Sequence, residues 1–206
     1  FTIMPTIEEQ RKITPDAVGK LTIPDLLEEW IVSKEDVTYY LNHNIHNQSN
    51  YYGAVFLEQH RALEKPPENL HLRGSDAVSS TGDGSVFRKL WQYKEGGSTF
   101  TMAHNRATVI TLHEQIDFEL IAVIEASLNP ARPDYFNYFG QLSFQSDAAM
   151  MDYVNNARRH SIYTLPADVQ PGQRLLTLST VSMASDTSMV LIFRSDRMYS
   201  DEYVEN

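Results

Sequence analysis

The chain has 206 residues, enough for one domain, and 42% of them are apolar against 21% charged, which excludes a disordered chain. Seventeen Lys and Arg stand against 27 Asp and Glu, a net charge of −10 that argues against a nucleic-acid binder and a polybasic membrane-surface module. With no cysteine, disulfides, thiolate metal sites and a Cys nucleophile are all excluded.

In chain order, Thr6-Ile7-Glu8-Glu9-Gln10-Arg11-Lys12 reads as a short helix capped at Thr6, with acids early and bases late to complement the helix dipole. Leu26, Leu27, Trp30 and Ile31 have helical spacing, yet Glu28 to Val32 fits a strand equally well, and periodicity does not decide so short a run. Beyond residue 50 the signals are mostly β. Short apolar or alternating runs at 53–57, 69–73, 107–112, 118–125, 174–178 and 189–193 are bounded by turn residues, and Pro171-Gly172 marks a turn ahead of one of them. Val86, Phe87, Leu90 and Trp91 follow Ser85 with helical spacing. Ser146 caps a second helix from Asp147 to about His160, with Met150, Met151, Val154 and Ala157 as its apolar stripe. The pattern predicts a mostly β barrel or sandwich with added helices. No apolar run approaches the ~20 residues that span a bilayer.

Few residues advertise chemistry. His43 and His46 lack a third ligand at a metal-binding spacing, and there is no HExxH, so neither a metal nor any other cofactor is expected. His104 and His113 read as strand-edge residues. The run Ser79 to Ser85 is rich in Gly and Ser but lacks the Gly-Lys-Ser/Thr ending of a P-loop, so it reads as a surface loop. Asn47-Gln48-Ser49 is a sequon that matters only in a secreted eukaryotic protein.

Five segments, in order, resemble the class B sortases, the cysteine transpeptidases that attach proteins to Gram-positive cell walls. They are Thr14 to Pro24, Tyr39-Tyr40-Leu41-Asn42-His43-Asn44, Gly53-Ala54-Val55-Phe56-Leu57, Val86 to Lys94, and Leu175-Leu176-Thr177-Leu178-Ser179-Thr180. The last is similar to the family's Thr-Leu-Ser-Thr-Cys strand with its final residue changed. The likeness implies a closed, eight-stranded sortase-type β-barrel with an N-terminal helical segment and a helix between strands six and seven. It tips Glu28 to Val32 towards strand. It also implies an N-terminal helical and lead-in segment (1–24), a barrel domain (25–198) and a C-terminal tail (199–206).

Sortases need a Cys nucleophile, a His acid/base and an Arg that steadies substrate and oxyanion. By the resemblance these positions fall on Val181, Ser75 and Arg194. Valine has no lone pair for attack, and an unactivated serine does not shuttle protons near neutral pH. Ser182 beside Val181 points to the other face of an extended strand, and His71 lies ~13 Å before Ser75 at ~3.3 Å per residue. The expectation is therefore a domain that binds without cutting, with Arg194, Thr180 and Asp76 as candidate peptide-binding residues. Arg194 is alternatively a barrel-rim residue paired with an acid such as Asp76. Two other readings stay open, a transpeptidase in an inactivated form and a structural partner that assembles through the barrel's outer surface. The resemblance further implies a sorting-signal peptide, pilin or surface protein as partner, and the outer face of a Gram-positive membrane as location. Any anchor would precede Phe1.

Overall fold

A computed structural model of the chain describes residues 2–60, 67–82 and 84–198. Its elements are α1 (Pro5–Arg11), β1 (Ala17–Ile23), β2 (Leu27–Val32), β3 (Val55–Leu57), β4 (Asn69–Ser75), a 3-10 helix (Val86–Trp91), α2 (Gln92–Glu95), α3 (Gly97–Ala103), β5 (Arg106–Ile110), β6 (Gln115–Ser127), α4 (Asp147–His160), β7 (Gln173–Val181) and β8 (Thr187–Met198). The strands close a barrel in the order β1-β2-β3-β4-β7-β8-β6-β5. Two neighbouring pairs, β2–β3 and β4–β7, are parallel. The expected mostly β barrel with added helices is present, and α4 lies between β6 and β7.

Strand alternation builds the core. In β1 every second residue, from Ala17 to Ile23, is buried. Leu72, Val123, Leu178 and Leu191 join Leu21 in the barrel interior. A second apolar cluster lies outside the barrel, where Met150, Val154 and Ala157 of α4 pack on Ile124, Val190 and Ile192. Ser146 caps that helix as expected, its Oγ accepting from the Ala149 N–H at 3.1 Å.

Several local expectations need correction. The first helix starts at Pro5 behind Met4, with no side-chain cap, because proline at the first helical position needs no acceptor for a missing N–H. A lead-in segment ending at residue 24 does not match the fold, since β1 pairs with both β2 and β5 and a boundary there would cut the barrel. The tail 199–206 lies outside the described residues. His104 ends α3 instead of edging a strand, and its ring stacks on Phe100 at 4.1 Å. His43 stacks on Tyr39 at 3.9 Å with Nδ1 against the Tyr39 carbonyl, a structural role.

Candidate functional site

The parallel pair β4–β7 ends with Ser75 beside Val181, and the Asp76 N–H extends the ladder by bonding the Val181 carbonyl at 3.2 Å. Leu70 and Leu72 of β4, like Leu176 and Leu178 of β7, face the barrel interior. Alternation therefore turns Asn69, His71, Arg73 and Ser75 outward, alongside Thr177, Ser179 and Val181. Gly74 faces inward, where an added Cβ would come within 2.8 Å of the Phe87 ring, so the 3-10 helix presses directly beneath this end of β4.

Ser75 is 6% exposed, and its Oγ accepts from the Ala77 N–H at 3.1 Å, which bends the chain away after β4. Asp76 accepts from the Trp91 indole N–H at 2.9 Å. Thr180 accepts from the Met189 N–H through Oγ1 at 2.9 Å. Thr180 pairs with Gly74 and so faces inward, against the expectation of a binding residue, and the Asp76 carboxylate is held by the 3-10 helix. Ser182 Oγ accepts from the N–H groups of Ala184 and Ser185 and so shapes the β7–β8 turn.

The structure brings Ser75, Asp76, Thr180 and Val181 together but leaves Arg194 elsewhere. On β8 Arg194 pairs with Leu175, six residues back from Val181 along β7, or ~20 Å at ~3.3 Å per residue. Its guanidinium donates to Glu119 Oε2 at 2.6 Å, Asp196 Oδ1 at 2.9 Å and the Asp168 carbonyl at 2.9 Å. A donor that steadies an oxyanion must stand within about 3 Å of it. Arg194 therefore cannot serve a reaction at position 181. It is the ion-paired rim residue of the alternative expectation, with Glu119 and Asp196 as the acids in place of Asp76. Continuing the register from Ser179–Val190 sets Ser188 opposite Val181.

Sequence reasoning set His71 aside by its distance from Ser75 and missed both its partner and a second group on the outward face. His71 Nε2 and Ser179 Oγ lie 2.8 Å apart, within the reach required of a base and nucleophile. Yet Ser179 is fully buried and His71 is 3% exposed. Burial, with a lesser contribution from the Arg73 charge, pushes the imidazole down to about 3. Tyr138 and Phe139, from the β6–β7 connection, lie edge-on to the His71 ring at 5.9 and 5.8 Å. The pair satisfies two buried polar groups and offers no open nucleophile. Asn69 and Thr177 do the same one step down, at 2.9 Å. The main chain at Gln141 and Leu142 covers Asn69 through two hydrogen bonds.

The second group is Arg73. Half-buried beside Ser179, it stacks its guanidinium over Phe139 at 4.7 Å. Strict alternation from Leu70 and Leu72 was the signal that could have placed both His71 and Arg73 on this face. A cleft of about 440 Å³ lies at the other end of the barrel, among Glu114, Asp117, Arg174 and Asp196, and has neither Ser75 nor Val181 in its lining. Among the described residues, no three His, Asp or Glu side chains are grouped to hold a metal ion. No helix among them is long and apolar enough to cross a membrane.

A closed eight-stranded barrel with a parallel β4–β7 pair and a helix between β6 and β7 is the sortase barrel. The chain superposes on a sortase B–substrate complex from Staphylococcus aureus with a TM-score of 0.82 at 19% identity, covering 97% of this chain and 88% of that one. It superposes on sortase B from Listeria monocytogenes with a TM-score of 0.73 at 25% identity, covering 91% and 98%. In sequence it is 27% identical over 181 residues to a sortase B of Listeria monocytogenes, 87% of this chain and 68% of that protein. No family model matches the chain.

Proposed function

We propose that this chain is a sortase B-like domain that has no transpeptidase activity and binds an extended sorting-signal or pilin-like peptide at the end of β4 and β7. The observation that carries this reading is Val181. It stands beside Ser75 at the strand ends where the resemblance sets the nucleophile and acid/base, and the chain has no thiol anywhere. Neither side chain supplies a nucleophile with a matched base. The solved relatives include sortase B with a substrate and sortase B complexed with triglycine, which supports a peptide as the ligand class. The likeness to sortase B also favours the outer face of a Gram-positive cell as the location.

The same likeness favours a second reading, a class B sortase seen in an inactivated form. The two separate on the parent gene, because codons for Val at 181 and Ser at 75 rule out the second. The first is tested by titrating labelled Asn-Pro-x-Thr-type peptides, reading anisotropy and analysing the same samples by mass spectrometry. Saturable binding with intact peptide is the expected result. Cleaved peptide overturns the non-catalytic reading, and absence of binding overturns the peptide groove.

A further inference from the structure

Seven arginines with half-buried or buried side chains lie among the described residues. Arg11 and Arg158 donate to main-chain carbonyls. Arg106, Arg132, Arg174 and Arg194 are ion-paired. Among these seven, Arg73 alone has neither a hydrogen bond nor an ion pair. Its Nε is sealed from solvent without an acceptor, while the terminal nitrogens, also without acceptors, are not sealed. What holds it is aromatic, Phe139 at 4.7 Å and Phe56 at 5.9 Å. A guanidinium lying over a ring keeps its exposed terminal N–H groups available, and that planar fork matches a carboxylate.

The position adds meaning. Arg73 lies two residues before Ser75 on β4 and beside Ser179, two residues before Val181 on β7. The nearest acid by its influence on Arg73 is Glu58, which forms no ion pair with it. A half-buried cation whose acidic neighbour makes no ion pair with it is under-compensated, so such a site is best explained by an anion that arrives with a ligand. The chain carries a net charge of −10, so its overall field repels an acidic ligand, and recognition must come from a local, shaped contact.

We propose that Arg73 is the anion contact of the groove, and that the ligand is an extended peptide whose carboxylate sits beside β4 and β7 just short of Val181. This rests on the peptide-groove reading above. Either an Asp or Glu side chain or a peptide C-terminus supplies the carboxylate, and both present the same two oxygens to the fork.

The test uses one labelled peptide backbone in three forms: neutral and amidated, amidated with one internal Glu, and neutral with a free C-terminal carboxylate. Each is titrated against the wild-type chain, Arg73→Gln, Arg73→Lys and Val181→Trp, the last of which fills the mouth. The expected result is that one acidic form binds about tenfold tighter than the neutral form. Which form does so identifies the source of the carboxylate. Arg73→Gln removes that advantage, Arg73→Lys restores only part of it, and Val181→Trp weakens every form. If all forms bind equally to wild type and to Arg73→Gln, while Val181→Trp still abolishes binding, the Arg73 assignment fails and the groove stands. If nothing binds, or Val181→Trp changes nothing, the groove itself fails. Thermal melts of each variant separate loss of contact from loss of fold.

Discussion

At the end of the barrel where β8 finishes, charge is answered by charge. Arg194 holds Glu119 and Asp196, Arg106 also holds Asp196, and the buried Arg174 is paired with Glu114. The Arg106 hydrogen bond, followed by smaller contributions from both arginines, keeps the Asp196 carboxyl below its ordinary value. At the end where β4 and β7 finish, Arg73 rests on aromatic rings with no carboxylate attached. Ser75, Asp76 and Thr180 are occupied with the local backbone or Trp91. One end therefore uses its arginines to hold the fold, and the other keeps one in reserve. A catalytic arginine sought by residue type alone is drawn to the wrong end.

That contrast can be broken from the paired end first. Glu114→Ala removes one carboxylate partner of the buried Arg174 and is expected to cost about 3 kcal/mol in urea unfolding. A cost within error would show that the pair is not structural.

The outward face between the two ends gives the next largest effect. Unfolded, His71 titrates near 6.5; folded, only near 3. Between those values the unfolded chain holds a proton that the folded chain does not, so stability falls as pH drops through 6.5. The contribution is fully present above that value, and by pH 5 the loss is about 2 kcal/mol. In His71→Gln the decline between pH 8 and pH 5 should be shallower by about that amount, measured by urea midpoints at each pH. An unchanged slope would place the titration elsewhere.

Two smaller effects sharpen the comparison of the arginines themselves. Arg194→Gln should destabilise by about 1 kcal/mol, since its partners are only partly screened by solvent. Arg73→Gln should cost less than that, because it breaks no ion pair and the aromatic contacts it loses are offset by relief of an unpaired half-buried charge. The order of these two costs is the prediction, and its reversal in matched thermal melts would remove the distinction between a structural and a reserved arginine.

Much of the fold was legible because alternation is local. The apolar runs at 69–73, 174–178 and 189–193 lie within β4, β7 and β8, and Ser146 caps α4 as its residue type predicts. β1 escaped notice because its alternation passes through Gly19 and Lys20, where residue type alone shows no apolar face. The candidate site was half legible. Ser75 and Val181 are neighbours because two parallel strands end in register, whereas the motif-like ending at Arg194 says nothing of how far along β8 it lies.

The sequence by itself determined the chemistry that is missing. A chain without cysteine has no thiol at any position, and a valine after Leu178-Ser179-Thr180 offers no lone pair. It also determined which residues of each strand share a face, since that period is two and needs no partner. Only the tertiary structure decided which arginine lies near Ser75 and Val181. Register between β7 and β8 is set by the turn at 182–186, not by either strand alone, and it runs unbroken from Ser179–Val190 to Leu175–Arg194. That pairing sends Arg194 to the acids at the far end, and the parallel pairing of β4 with β7 leaves Arg73 beside Ser179, two residues short of Ser75 and Val181.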